Sequence, residues 1–134
     1  MTKAIWIRLV SICVLILSLA AICIVEDKLV DTALARVENM CVEIELAVEK
    51  NEGIVNGEVA SLVDNLEYFW NKQESVMCFV VNHKTIEQLG VEIVRLKTYI
   101  DEEEQIEFYV SLEIIKHYIE TFQHVMGANL HNVF

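Results

Sequence analysis

One stretch limits the fold more than any other. Leu9–Val25 is a run of 17 residues without a charge, and Arg8 alone interrupts the 22-residue apolar segment Ala4–Val25. As a helix that segment is about 33 Å long at about 1.5 Å per residue, enough to cross a hydrocarbon layer of about 30 Å. Lipid offers the backbone no hydrogen bonds, so a single spanning segment must be helical. Lys3 and Arg8 precede the run and Glu26 and Asp27 follow it. Basic flanks stay on the cytoplasmic side, which predicts a cytoplasmic N-terminus and an extracytoplasmic remainder in a single-pass cell-membrane protein. Trp6 stands where an interfacial anchor belongs.

A cleaved signal peptide is the rival reading. Met1–Arg8 would be its n-region and Leu9–Leu17 its h-region, and Ser18-Leu19-Ala20 offers small residues for cleavage before Ala21. Against it, the run continues through Ile22, Cys23, Ile24 and Val25, where a signal peptide turns polar. Ile22 also stands where a lipoprotein signal has a small residue, which argues against lipid attachment at Cys23. The expectation is a retained signal-anchor over 1–25 and one outer domain over 26–134.

That outer domain is acidic. It holds all 21 Asp and Glu residues and 8 of the 10 Lys and Arg, a formal charge of −13. Such a surface repels nucleic acid and anionic headgroups, which excludes a nucleic-acid binder and a polybasic membrane contact. There is no Pro and there are only four Gly. Apolar residues at helical spacing therefore decide the secondary structure.

Val30, Leu34, Val37, Cys41, Ile44 and Val48 recur every three or four residues, and no breaker separates them from the apolar run. One helix is expected from about Ala4 to Lys50, its outer half a rigid stalk through Glu26-Asp27-Lys28. Glu38, Glu45, Glu49 and Arg36 are read onto the solvent face. Gly53 suits a left-handed cap, and Asn56-Gly57 a turn. A second helix is expected over Glu58–Val81, with Val59, Leu62, Val63, Leu66, Phe69, Trp70, Met77 and Val80 inward. Asn82 caps the third helix, with Thr85 and Gln88 as a rival capping box. That helix runs to Ile100 with Ile86, Leu89, Ile93, Leu96 and Ile100 inward, and Gly90 within it implies close approach of another helix. Asp101 as N-cap with Glu104 opens a fourth helix over Glu102–Met126, packed by Phe108, Leu112, Ile115, Ile119, Phe122 and Met126, with Gly127 stopping it. Ala128–Phe134 is then a short tail carrying Leu130, Val133 and Phe134. Short connections make antiparallel neighbours. The fold class is all-α: an N-terminal transmembrane helix continuous with an up-and-down antiparallel four-helix bundle.

Several segments resemble a family of small membrane-anchored helical proteins of spore-forming bacteria, the family of domain of unknown function 4363. They are Trp70-Asn71-Lys72, His83 with Glu87, Arg95-Leu96-Lys97-Thr98-Tyr99-Ile100 and Asn132-Val133-Phe134. The chain departs from the family pattern at Asn56-Gly57-Glu58-Val59. The resemblance covers most of the chain and implies no established activity. Its members are often encoded beside another membrane protein, which implies a membrane partner.

The chemistry-bearing residues point the same way. His83 with Glu87, Glu113 with His117, and Glu120 with His124 are each four apart. Di-iron bundles use Glu-x-x-His and further inward carboxylates, so these pairs read as surface contacts rather than metal ligands. Asp101–Glu104 lacks the spaced ligands and turn Gly of a calcium loop. Trp70 is read as core rather than as a ligand-stacking residue, and Arg95 and Lys97 as partners of carboxylates across helices. No phosphate loop, nucleophile elbow or Cys-x-x-Cys is present. No catalytic, cofactor or metal residue is assigned, and the chain is expected to be non-enzymatic. The expected function is an envelope interaction module docking another membrane protein; the alternative is an extracytoplasmic ligand or cation sensor. Cys41 and Cys78 sit about 16 Å apart along the bundle axis by helix rise, so no disulfide is expected between them. Cys41 is read as a buried small hydrophobe, and Cys78 as the point where two copies would crosslink in a homodimer.

Overall fold

The computed structural model describes residues 2–80 and 82–131. Among them the chain forms four helices: α1 Thr2–Lys50, α2 Gly57–Val80, α3 His83–Asp101 and α4 Gln105–His131. Neighbours in sequence pack together, and α1 also packs on α4, which closes the ring of an up-and-down bundle.

α1 is unbroken through Glu26-Asp27-Lys28. Its apolar N-terminal part meets no other element: Leu9, Leu17 and Ile24 are all more than half exposed. Burial starts at Val30 and continues through Leu34, Val37, Cys41, Ile44 and Val48. The outer half is therefore one wall of the bundle, as expected of a first helix continuous with the apolar run. One apolar helix face does both jobs because nothing interrupts its period.

The core holds most of the expected residues of α2 to α4, with Trp70 and Phe108 its largest side chains. Leu62, Phe69 and Ile100 are only partly buried, at its edge. Ala33, Met40, Ala47 and Ile54 join it as well. Val80 and Met126, expected inward, and the tail residues Leu130, Val133 and Phe134 lie outside the described side chains.

The junctions differ from expectation, and for a common reason. Lys50 is followed by Asn51 and then by Glu52 at φ 55°, with Glu52 N–H donating to Glu49 O and Gly53 N–H to Val48 O. That is a Schellman cap whose left-handed position is Glu52, not Gly53. The end of α3 repeats it. Glu103 has φ 60°, its N–H donates to Ile100 O, and Glu104 N–H donates to Tyr99 O at 2.9 Å. Asp101 thus belongs to the last turn of α3 and does not cap α4; Glu104 stands at that cap, its carbonyl accepting from Phe108 N–H. The reversal consumes three residues, and the run of four acids is spent on it.

A non-Gly residue in the left-handed region carries a steric cost. Glu52→Gly and Glu103→Gly are each expected to stabilise the bundle by about 0.5–1 kcal/mol, read as a rise in the thermal midpoint.

The Asn82 cap of α3 is as expected, and Asn56 of the expected turn caps α2. Asn56 Oδ1 accepts from Glu58 N–H at 2.7 Å, and Asn82 Oδ1 accepts from Lys84 N–H at 3.0 Å. Thr85 forms no competing box, because its N–H and that of Ile86 already bond Asn82 O. Asn51 and Lys50 both donate to the Glu58 carboxylate and hold it below the usual carboxylate range. Gly127 does not stop α4, which continues to His131.

Candidate functional site

Among the described residues, one groove walled by two elements lies between α2 and α3. Trp70, Asn71 and Glu74 of α2 face Glu87, Gly90, Val91, Val94 and Arg95 of α3 across a volume of about 350 Å³. A larger depression of about 480 Å³ lies over Tyr109, Val110, Glu113, Ile114 and His117, but all five are on α4 and no second element walls it.

Helix geometry explains the groove. Trp70 shares the inward face of α2 with Val59, Val63, Leu66 and Met77, and all five are buried. Its indole reaches α3 at Gly90. A Cβ on Gly90 would lie 2.9 Å from Trp70 Nε1 and 3.6 Å from Cδ1. Glycine is thus required there by the close approach expected from sequence, despite costing about 1 kcal/mol in a helix. Trp70 Nε1 is buried and has no hydrogen-bond partner among the described residues. An unmet buried donor costs about 1–3 kcal/mol. Beside it Val91 and Val94 are about half exposed, at 47% and 51%. The floor is apolar and the walls carry Glu74, Glu87 and Arg95.

Arg95 also pairs with Glu92, which reaches α4. Its guanidinium donates to Glu92 Oε1 at 2.6 Å, while Ser111 Oγ donates to Glu92 Oε2 at 2.6 Å. Glu92 and Ser111 are both buried. Arg95 therefore pairs within its own helix, not across helices as expected. Ser111 has no free approach for a substrate, so the trio joins α3 to α4 rather than arming a nucleophile. Neither Glu92 nor Ser111 was visible as a core residue in sequence, because the partner that makes each buriable is 19 residues away.

Lys97 does bridge helices, to Asp64 at 2.7 Å. Lys116 lies 2.7 Å from both Glu45 of α1 and Glu113 of its own helix. Glu45 is partly buried by this contact instead of lying on the solvent face. Glu113 and Glu45 hold the Lys116 ammonium well above the usual lysine range.

Two of the spaced His and Glu residues make other contacts. Glu113 is taken by Lys116, and His83 Nδ1 stands 3.2 Å from Cys78 Sγ across the α2–α3 junction. Among the described residues no three His, Cys, Asp or Glu side chains gather as a metal set. All four cysteines are free. Cys41 is buried, and that burial, with Glu45 beside it, pushes its thiol up to about 12. At pH 7.5 its thiolate fraction is below about one in 10⁴. Maleimide labelling of the folded chain is expected to modify the partly exposed Cys78 and spare Cys41 until denaturant is added. Equal labelling rates would place Cys41 on the surface.

Three of the segments that carry the resemblance stated above meet in the groove, supplying Trp70, Asn71, Glu87 and Arg95. The family model for domain of unknown function (DUF4363) matches residues 28–133. No curated protein and no solved structure matches the chain. The match covers most of the chain and begins just past the apolar run: the chain belongs to the DUF4363 family.

Proposed function

We propose that this DUF4363 protein is a membrane-tethered, non-enzymatic interaction module. Its α1 anchors in the cell membrane with the N-terminus cytoplasmic, and the bundle presents the α2–α3 groove to another membrane or envelope protein. The observation that carries this reading is the continuity of α1. A helix whose apolar half meets nothing passes without a break into a bundle wall, so the outer domain is held at a fixed height and attitude. A rigid mount serves recognition of a neighbour in the same membrane, because it removes orientational freedom before binding. Lys3 and Arg8 before the run, with Glu26 and Asp27 after it, support the orientation. The groove's apolar floor between Glu74 and Glu87 fits a partner helix with an apolar seam flanked by a basic residue.

Photocrosslinking in intact membranes tests this. A photoreactive residue at Val91 or Val94 is expected to give one discrete adduct with a membrane or envelope protein, and the same residue at Ile106 on α4 none. Recovery of the protein alone from every groove position would end the docking reading. A second reading, a small-ligand sensor, is favoured by the unpaired Trp70 Nε1 at the groove. A thermal-melt screen against divalent cations and small metabolites addresses it, and an unmoved melt with all of them removes its motive.

A further inference from the structure

An up-and-down bundle sorts its turns by end. The α1–α2 and α3–α4 turns lie at the tip, away from the apolar run. The α2–α3 turn and the end of α4 lie at the base, where α1 leaves the bundle. On α2 to α4 charge follows the same division, while α1 carries Glu26, Asp27 and Asp31 where it leaves the bundle. Glu49, Glu52 and Glu58 flank the first tip turn, and Asp101, Glu102, Glu103, Glu104 and Glu107 the second. The two longest acid-free stretches of the outer domain are Ser75–Ile86 and Thr121–Phe134. The first takes in the end of α2 and the start of α3, and α4 carries the second toward the base as far as His131.

Cross-helix contacts set the heights. Lys50 pairs with Glu58, so 22 residues down α2 Val80 stands opposite Lys28, about 33 Å from the tip pair. Lys116 pairs with Glu45, so Leu130 on α4 stands opposite Asp31. Both positions are within about two helical turns of Val25, where the apolar run ends.

We infer that the base of the bundle is a second membrane contact: the end of α2, the start of α3 and the end of α4 rest in the interfacial layer of the bilayer that α1 crosses. This rests on the tethered reading above. The base sequences fit a lipid surface. On Ser75–Ile86 Val76 is 46% exposed, and Lys84, also exposed, is its cation. On Thr121–Phe134 His124 is exposed, and the sequence beyond it is mostly apolar and free of acids. Apolar side chains enter the headgroup boundary, while a lysine reaches along it to phosphate. Neither stretch adds a carboxylate to the base, where Glu26, Asp27 and Asp31 of α1 stand with Lys28 and Lys84. The eight carboxylates that flank the tip turns face away from the bilayer.

The test uses the full chain in vesicles of phosphatidylethanolamine and phosphatidylglycerol. A photoreactive phenylalanine analogue replaces Ile16, Glu52, Val80 or Leu130 in turn, and lipid adducts are read by mass spectrometry. Each variant must keep its cooperative helical melt; Val76 and Asn129 replace Val80 and Leu130 if either does not. Adducts are expected at 16, 80 and 130, each at least about tenfold above the yield at 52, because the tip stands about 33 Å clear of the interface. Adducts at 16 with none at 80 or at 130 overturn the inference and leave the tether standing. Adducts at 52 equal to those at 80 overturn it too, since the domain would then lie flat. No adduct at 16 overturns the tether itself.

Discussion

Trp70→Ala is expected to destabilise the bundle by about 3–5 kcal/mol, the cost of deleting a buried aromatic side chain and leaving a cavity. Trp70 is 1% exposed and among the largest fully buried side chains. In a domain whose total stability is about 5–15 kcal/mol, that loss is large enough to unfold a substantial fraction of the molecules. A change under about 1 kcal/mol would return Trp70 to the surface and to a ligand-stacking role. Trp70→Phe is expected to cost much less, because it removes the unpaired Nε1 along with the lost volume.

Gly90 makes the argument sharper. Gly90→Ala gains about 1 kcal/mol of helix propensity but drives a methyl to 2.9 Å from Nε1, so the net effect in the native chain is destabilising by about 1–2 kcal/mol. With Phe at position 70 the pyrrole edge is gone, and the same substitution is expected to become neutral or stabilising. A double-mutant cycle by urea unfolding reads the reversal. Additive effects would mean that the two residues do not touch.

Positions 70 and 90 also mark how far the sequence could be read. The inward stripes were legible because a 3.6-residue period leaves little choice of face, and Trp70 falls within that stripe. Gly90 gave notice of a close approach without saying to what; only the packing of α2 on α3 supplies the indole. The caps were harder. Preference for Gly in the left-handed position points at Gly53, but the chain places Glu52 there and lets Ile54 dive into the core. Glu92 and Ser111 sit where polarity argues for solvent, and their burial depends on each other and on Arg95. The groove is of the same kind. Val91 and Val94 read as surplus apolar residues on α3, and they gain meaning only when Asn71 and Glu74 are seen opposite.

The pH dependence of stability should turn on Cys41. Its thiol is held protonated up to about 12 in the folded chain by burial, against an ordinary value of 9.0. A group whose folded pKa is raised contributes full stability below the unfolded value and loses it as pH climbs toward the folded one. The unfolded thiol ionises from about pH 9 and gains solvation that the buried one is denied. Stability is therefore expected to fall by about 1.4 kcal/mol per pH unit above 9, approaching about 4 kcal/mol near pH 12. Lys116, held protonated by Glu113 and Glu45, adds loss in the same direction once pH passes the ordinary lysine range. The two contributions separate because the thiol acts first. Thermal melts of the full chain in micelles between pH 8 and 10.5 are expected to drop by several degrees per unit, at about 4–8 °C per kcal/mol. Cys41→Val is expected to hold a level midpoint until lysine titration begins, whatever its midpoint at pH 7. Parallel curves for the two proteins would show that position 41 is hydrated, and would move α1's inward face away from the contact with α4 that Glu45 and Lys116 mark.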